Sequence, residues 1–117
     1  MAGINFLDVI TYYLSWRIRL RGFLEDKNNI TESEIGSHKD CDFGKWLYSE
    51  GLGRYGTMRK IIELEGIHKR LHETALLIVR LGSQRDTMAG REAALETFES
   101  LSMEMISLLV ELQLIIR

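Results

Sequence analysis

The stretch "IIELEGIHKRLHETALLIV", residues 61–79, decides the fold, because its apolar side chains recur every three or four residues. That period is typical of an amphipathic α-helix with one buried face. One stripe of this helix holds Ile61, Glu65, His68, His72, Ala75 and Val79. Both histidines therefore point towards the predicted core, where an imidazole without a polar partner is costly.

Two further long helices are predicted on either side of this one. The first runs from about residue 4 to residue 25, with apolar positions at the helical period and Tyr13 on its inward stripe. Thr57 is the predicted N-cap of the middle helix, which runs to about Leu81. The stretch "GSQRD", residues 82–86, predicts a turn before a last helix that continues to the C-terminus.

The connection at 26–56 is polar and glycine-rich, with two short helical candidates. One lies at 31–35 and opens with Thr31 and Glu34 at capping-box spacing, and the other lies at 43–49. The sequence predicts an all-α protein, an antiparallel helical bundle resembling a four-helix bundle with a short cysteine-bearing helical segment. The connection or a partner subunit is expected to form its fourth side.

The composition predicts one domain over residues 1–117 and excludes several classes of partner. Fifteen Lys and Arg against 17 Asp and Glu give a net charge of -2. The sequence has no basic stripe, so nucleic-acid binding is not expected. The longest apolar runs fall short of the roughly 20 residues of a membrane span, so no direct membrane insertion is expected. The N-terminus lacks a secretory signal pattern, which predicts a cytoplasmic location.

The spacing of His68 and His72 places two imidazoles one helical turn apart on one face, a common arrangement for binding one metal ion. Cys41, the single cysteine, is available to complete a thiolate and imidazole set of the kind that Zn²⁺ prefers. Lys69 and Arg70 follow His68, so the HExxH pattern of zinc metalloproteases is absent. The two histidines therefore either are satisfied by hydrogen bonds or hold a metal ion, and peptidase activity is disfavoured.

Aromatic side chains surround the cysteine segment in sequence. We interpret Trp16, Phe43 and Trp46 as apolar anchors that pack this segment onto the bundle, because aromatic rings bury large areas. Gly44 is expected to let the segment approach its neighbour closely.

These residues together resemble the chemoreceptor zinc-binding (CZB) domain family, a cytoplasmic bacterial sensory module. Trp16 is followed after 24 residues by the core "CDFGKW" at 41–46, and 21 residues later by His68 and His72, which matches the order and spacing of the family pattern. The resemblance extends from about residue 4 to residue 114. It implies zinc binding by Cys41 and both histidines, and regulation of an attached output such as a chemoreceptor or a diguanylate cyclase.

Tyr13 departs from the family pattern, which has a histidine ligand at this position. Four outcomes stay open. In the first, Tyr13 binds the ion as a phenolate. In the second, Glu65 or His38 replaces the missing ligand, although Glu65 could instead accept a hydrogen bond from an imidazole. In the third, water or a small molecule completes a three-ligand site, and in the fourth the domain binds no metal.

The expected function is a regulatory domain, not an enzyme, in which metal occupancy or oxidation of Cys41 changes how its segment packs. Leu108 with Leu109 and Ile115 with Ile116 place apolar residues on more than one face of the last helix, which predicts a homodimer. The alternatives are a metal-free helical dimerisation module and a metal-dependent enzyme with Glu65 as base.

Overall fold

The computed structural model of the chain describes residues 4–83 and 88–116. All regular structure within these residues is helical, as predicted, and they contain no strand. In chain order the elements are α1 (Phe6–Leu24), α2 (Glu32–Ile35), α3 (Asp42–Trp46), a π-helical turn (Leu47–Gly51), α4 (Leu52–Tyr55), α5 (Arg59–Ser83) and α6 (Met88–Ile115). None of the described helices is both long enough and apolar enough to cross a membrane.

Helix α1 begins where its sequence supplies an N-cap. The Oδ1 atom of Asn5 accepts hydrogen bonds from the backbone N–H groups of Leu7 at 2.9 Å and Asp8 at 3.3 Å. Two amide groups that have no partner inside the helix are satisfied in this way. The buried face of α1 consists of Phe6, Val9, Ile10, Tyr13, Trp16 and Leu20.

Helices α5 and α6 form an antiparallel pair, and an ion pair joins Lys60 near the start of α5 to Glu111 near the end of α6. The prediction of Thr57 as N-cap is wrong. Helix α5 begins at Arg59, and the Met58 carbonyl accepts the first hydrogen bonds of the helix. The predicted end at Leu81 is two residues short. Of the predicted turn at 82–86, the first two residues are helical and the rest lie outside the described residues.

Helix α6 also runs antiparallel to α1. Arg21 of α1 pairs with Glu99 of α6 at 2.8 Å. Arg17, one turn earlier on α1, pairs with the same carboxylate at 3.5 Å and also contacts Met103, one turn after Glu99 on α6. Fully buried leucine, isoleucine and methionine side chains fill the core between the three long helices, each contributing about 1.5–3 kcal/mol by its burial. They include Leu20, Ile61, Leu64, Leu71, Ile78, Met105 and Leu109.

The long connection closes the side of the bundle between α1 and α5, as predicted. The capping-box pair at the start of α2 is formed, with the Thr31 N–H donating to the Glu34 carboxylate at 3.1 Å. Glu34 also pairs with Arg19 of α1 at 2.7 Å, and Glu32 pairs with Arg80 of α5 at 3.1 Å. Helix α2 is thus attached to both neighbours.

The helical segment after the cysteine is longer than predicted. It begins at Asp42 and continues through the π-helical turn to Tyr55, where the sequence predicts an end near residue 49. Gly51 lies inside this segment, and the Trp46 ring packs against its backbone, where a Cβ atom would lie 2.9 Å from the ring. The segment therefore presents Cys41 from a firmly packed helix start.

Candidate metal centre

Two elements bring Cys41, His68 and His72 together. Cys41 is the N-cap of α3, and His68 and His72 lie one turn apart on α5. One donor atom from each of these residues lies within 4.8 Å of the other two, and in the described part of the chain no further His, Cys, Asp or Glu joins this group. Two residues 27 positions apart in sequence, Cys41 and His68, approach to 3.3 Å between Sγ and Nε2.

Tyr13 reaches the same cluster from α1. Its Oη atom lies 2.8 Å from His68 Nε2, 3.2 Å from His72 Nε2 and 3.6 Å from Cys41 Sγ. The structure therefore places the tyrosine against all three predicted ligands, at the position where the family pattern has a histidine.

The surroundings of the two histidines fix the tautomer of one of them, His72. His72 Nδ1 lies 3.3 Å from the backbone carbonyl oxygen of Gly36, which can only accept, so Nδ1 carries the proton and Nε2 presents its lone pair to the cluster. Nδ1 of His68 is buried and has no hydrogen-bond partner among the described residues. Gly36 has no signal as a functional residue in the sequence, because its contribution comes from the backbone.

Burial keeps both imidazoles neutral at physiological pH. It lowers the pKa of His68 to about 3, with nearby His72 and His38 as smaller causes in the same direction. Burial also lowers the pKa of His72, although the hydrogen bond to the Gly36 carbonyl opposes this effect. A neutral imidazole is the form that binds a metal ion, so neither histidine must lose a proton first.

The same burial acts against a phenolate at Tyr13. It raises the pKa of the Tyr13 hydroxyl well above its usual range, and the neighbouring Cys41 raises it further. The hydroxyl thus keeps its proton and is available to donate to an imidazole nitrogen.

Cys41 is partly exposed and its sulfur is held by the backbone. The N–H group of Gly44 donates to Sγ at 3.3 Å. The predicted close approach at Gly44 is present, because a Cβ atom there would overlap the His38 carbonyl oxygen. Any side chain at position 44 would therefore separate α3 from the turn that precedes Cys41.

Two of the three predicted aromatic anchors hold the cysteine segment. Phe43 packs edge-on against the His68 ring at 5.0 Å between centroids, and Trp46 packs against Phe6 of α1 at 5.5 Å. Trp16 is buried on α1, where the Arg19 guanidinium lies 4.2 Å above its ring. It is a core residue of α1 for which the structure gives no ring contact with α3.

The two alternative ligands lie outside the close group. Glu65 is half-buried and lies near the Tyr48 hydroxyl. Burial, and next to it this carboxylate, raises the pKa of Tyr48 to about 12. His38 is also half-buried, and its ring packs edge-on against His68 at 6.1 Å, His72 at 6.4 Å and Tyr48 at 5.7 Å. Sequence reasoning missed Tyr48, which lies seven residues after Cys41 on the same helical segment.

A cavity of about 510 Å³ opens beside the cluster and includes Cys41 in its wall. Asp8, Asp40 and Asp42 are among its other lining residues. Solvent and small solutes can thus reach the cysteine from one side.

The donor set fits zinc, because a thiolate and two neutral imidazoles are its preferred ligands and the His72 tautomer presents Nε2 to the cluster. Comparison with curated proteins and with solved structures gave no match. A family model described as the chemoreceptor zinc-binding domain matches residues 14–79. This range contains Cys41, His68 and His72 and begins directly after Tyr13, while α6 lies beyond it. Since the match covers more than half of the 117 residues, the chain belongs to the chemoreceptor zinc-binding domain family, whose members are zinc-binding signalling domains.

Proposed function

We propose that this chain is a cytoplasmic sensory domain that binds one Zn²⁺ ion through Cys41, His68 and His72. In this proposal, metal level or thiol oxidation at Cys41 regulates an attached or partner output, such as a chemoreceptor or a diguanylate cyclase. The observation that carries it is the convergence of one sulfur and two imidazole nitrogens within 4.8 Å. A bound zinc ion would keep Cys41 as a thiolate and link its segment to α5.

The cysteine segment is the element that we expect to move. Cys41 lies at the first turn of α3, so a change at its sulfur acts directly on the start of that helix. Trp46, at the other end of α3, packs against Phe6 at the start of α1. A displacement of α3 therefore changes the packing of α1. This contact supports transmission of a structural change from the metal site to the outer surface of the bundle.

Access to Cys41 supports a sensing role over a purely structural one. The cysteine is partly exposed and borders the open cavity. Metal ions, chelators and small oxidants can reach it without unfolding the domain. Exposed cysteines of this kind are the ones that exchange metal and react.

We further propose that the domain forms a homodimer through an apolar face on α1 and α6. Leu7, Leu14 and Ile18 form an exposed stripe on α1, and Met103, Val110 and Leu114 form one on α6. Arg17 and Glu99, which lie between the stripes, already pair within the chain, so covering this face buries no unpaired charge there. Leu108 and Leu109 do not contribute, since both are buried in the core of the chain.

A catalytic role has little support in the site. Glu65 was the candidate base, and its carboxylate lies outside the close group of Cys41, His68 and His72. We therefore propose a regulatory domain without enzymatic activity.

The test is elemental analysis of protein purified without added metal, together with Cys41→Ala and His72→Ala. We expect one zinc per chain in the wild type and loss of that zinc in both variants. Glu73→Ala is the matched control, because Glu73 follows His72 on α5 but is exposed. Retention of full zinc by both ligand variants would reject the site.

A second candidate, a metal-free helical dimerisation module, is favoured by the hydrogen bonds of Tyr13. Its hydroxyl lies within hydrogen-bond distance of Nε2 of both histidines, so the buried site has polar partners without a metal. This candidate predicts no metal above background in the purified protein. It also predicts that a chelator leaves the thermal unfolding curve unchanged.

A further inference from the structure

His38 lies almost close enough to the histidine pair to bind the same ion. The ring centroids of His68 and His72 are 4.8 Å apart, and those of His38 are 6.1 and 6.4 Å from them. Two imidazoles bound to one zinc ion through bonds of about 2.0–2.1 Å have centroids about 5 Å apart. A movement of the His38 ring by about 1–1.5 Å, with one ring nitrogen turned towards the cluster, would bring His38 into that range.

The backbone of His38 is fixed beside Cys41, and its ring makes edge-on packing contacts with the neighbouring rings. The Asp40 N–H donates to the Ser37 carbonyl at 3.0 Å in the turn between them, and Gly44 allows α3 to contact the His38 carbonyl. The imidazole is half-buried, and its nitrogens make no hydrogen bond within the described residues. Two residues separate His38 from Cys41, a spacing that paired zinc ligands often have.

The competing donors are already engaged. Tyr13 Oη lies 2.8 Å from His68 Nε2, a hydrogen-bond distance shorter than the roughly 3.3 Å or more expected between two ligand atoms of one tetrahedral zinc ion. The Glu65 carboxylate interacts with Tyr48, whose ring packs edge-on against His38. Glu65 also lies outside the close group of donor atoms formed by Cys41, His68 and His72.

We propose that His38 supplies the fourth zinc ligand of this chain, in place of the histidine that Tyr13 has replaced. The proposal rests on the function proposed above, since it requires that Cys41, His68 and His72 bind zinc. Its chemistry is ordinary, because a ring nitrogen of a neutral imidazole is among the donors that zinc prefers.

The test measures zinc affinity by competition with a chromophoric chelator, and the visible absorption spectrum of the Co²⁺-substituted protein. We expect His38→Ala to weaken zinc binding at least about tenfold and to change the Co²⁺ spectrum, because even a residue that only positions a ligand has an effect of that size. Tyr13→Phe should bind zinc at least as tightly as the wild type, with the same spectrum. Lys39→Ala, an exposed neighbour, is the matched control.

A rescue experiment separates a ligand role from a structural one. In Tyr13→His combined with His38→Ala, the family's histidine is restored and affinity should return. The proposal is overturned if His38→Ala binds zinc as tightly as the wild type, although the zinc site itself then stands; loss of zinc in Tyr13→Phe would assign the fourth position to Tyr13. If the wild type binds no zinc, the proposed function and this inference both fail.

Discussion

The hydroxyl of Tyr13 lies 2.8 Å from Nε2 of His68, on the nitrogen that the site offers to a metal ion. The same hydroxyl lies 3.2 Å from His72 Nε2. A neutral phenol can donate one proton, and the His72 tautomer presents an acceptor lone pair. In the metal-free domain Tyr13 therefore satisfies a buried imidazole whose nitrogen a metal would otherwise occupy.

Tyr13→Phe should destabilise the metal-free domain. The substitution leaves a buried imidazole nitrogen without its partner, which costs about 1–3 kcal/mol of the free energy of unfolding. The zinc-loaded domain should lose less, because the metal occupies that nitrogen. Urea unfolding with excess chelator and with excess zinc measures both values, and equal losses in the two states would contradict this account.

Gly44→Ala should weaken both the fold and the zinc site. The added Cβ atom would overlap the His38 carbonyl oxygen, which is backbone and cannot move aside alone. Displacing α3 also displaces Cys41, so we expect a loss of at least about 2 kcal/mol in stability and weaker zinc binding.

Gly66→Ala is the matched control for this prediction. Gly66 lies inside α5, two residues from His68, and a Cβ atom there meets nothing within 4 Å. Alanine in a helix interior is favoured over glycine by about 0.5–1 kcal/mol, so this variant should be slightly more stable. Chelator-treated and zinc-loaded unfolding curves compare the two variants, and equal behaviour would refute the proposed role of Gly44.

The helical period was enough to predict the buried face of α5. It placed His68 and His72 towards the core, where both are buried. It also placed Glu65 on the same stripe, but periodicity fixes only the direction of the Cβ atom. The longer carboxylate side chain interacts with Tyr48, a residue 17 positions earlier whose approach depends on the packing of the whole cysteine segment.

No local pattern determines where a long connection folds back, so the approach of Cys41 to α5 was predicted only from the ligand preference of zinc and from the family resemblance. The hydrogen bond from His72 to the Gly36 carbonyl was beyond prediction, because every residue carries such an oxygen. The extended helix after Trp46 was missed because Gly51 is usually a helix breaker. Here it is the residue that leaves room for the Trp46 ring.

Acidification should destabilise the metal-free domain. The pKa of His68 is about 3 in the folded state and about 6.5 when unfolded, so the unfolded chain binds the additional proton between these values. The stabilising contribution of the neutral His68 side chain is complete above pH 6.5 and is lost as the pH falls towards 3. Protonation of folded His68 is unfavourable because its Nδ1 atom is buried without an acceptor for a second N–H group.

Between pH 7.5 and 5.0 this effect should lower the free energy of unfolding by about 2 kcal/mol. Burial lowers the pKa of His72 as well, which acts in the same direction. Urea unfolding in chelator at the two pH values measures the change. His68→Gln should show a smaller pH dependence than the wild type, and an unchanged dependence would assign the effect to other groups.

Ile18→Glu should separate the proposed homodimer into monomers. Ile18 is 75% exposed and lies in the apolar stripe of α1, where a buried unpaired carboxylate would be costly. Ile62, on α5 and 54% exposed, lies outside the proposed face, so Ile62→Glu is the matched control. Light scattering after size-exclusion chromatography should give about twice 13.5 kDa for the wild type and the control, and 13.5 kDa for Ile18→Glu. A wild type of monomer mass would remove the dimer from the proposed function, while dissociation by both variants would place the interface on a different face.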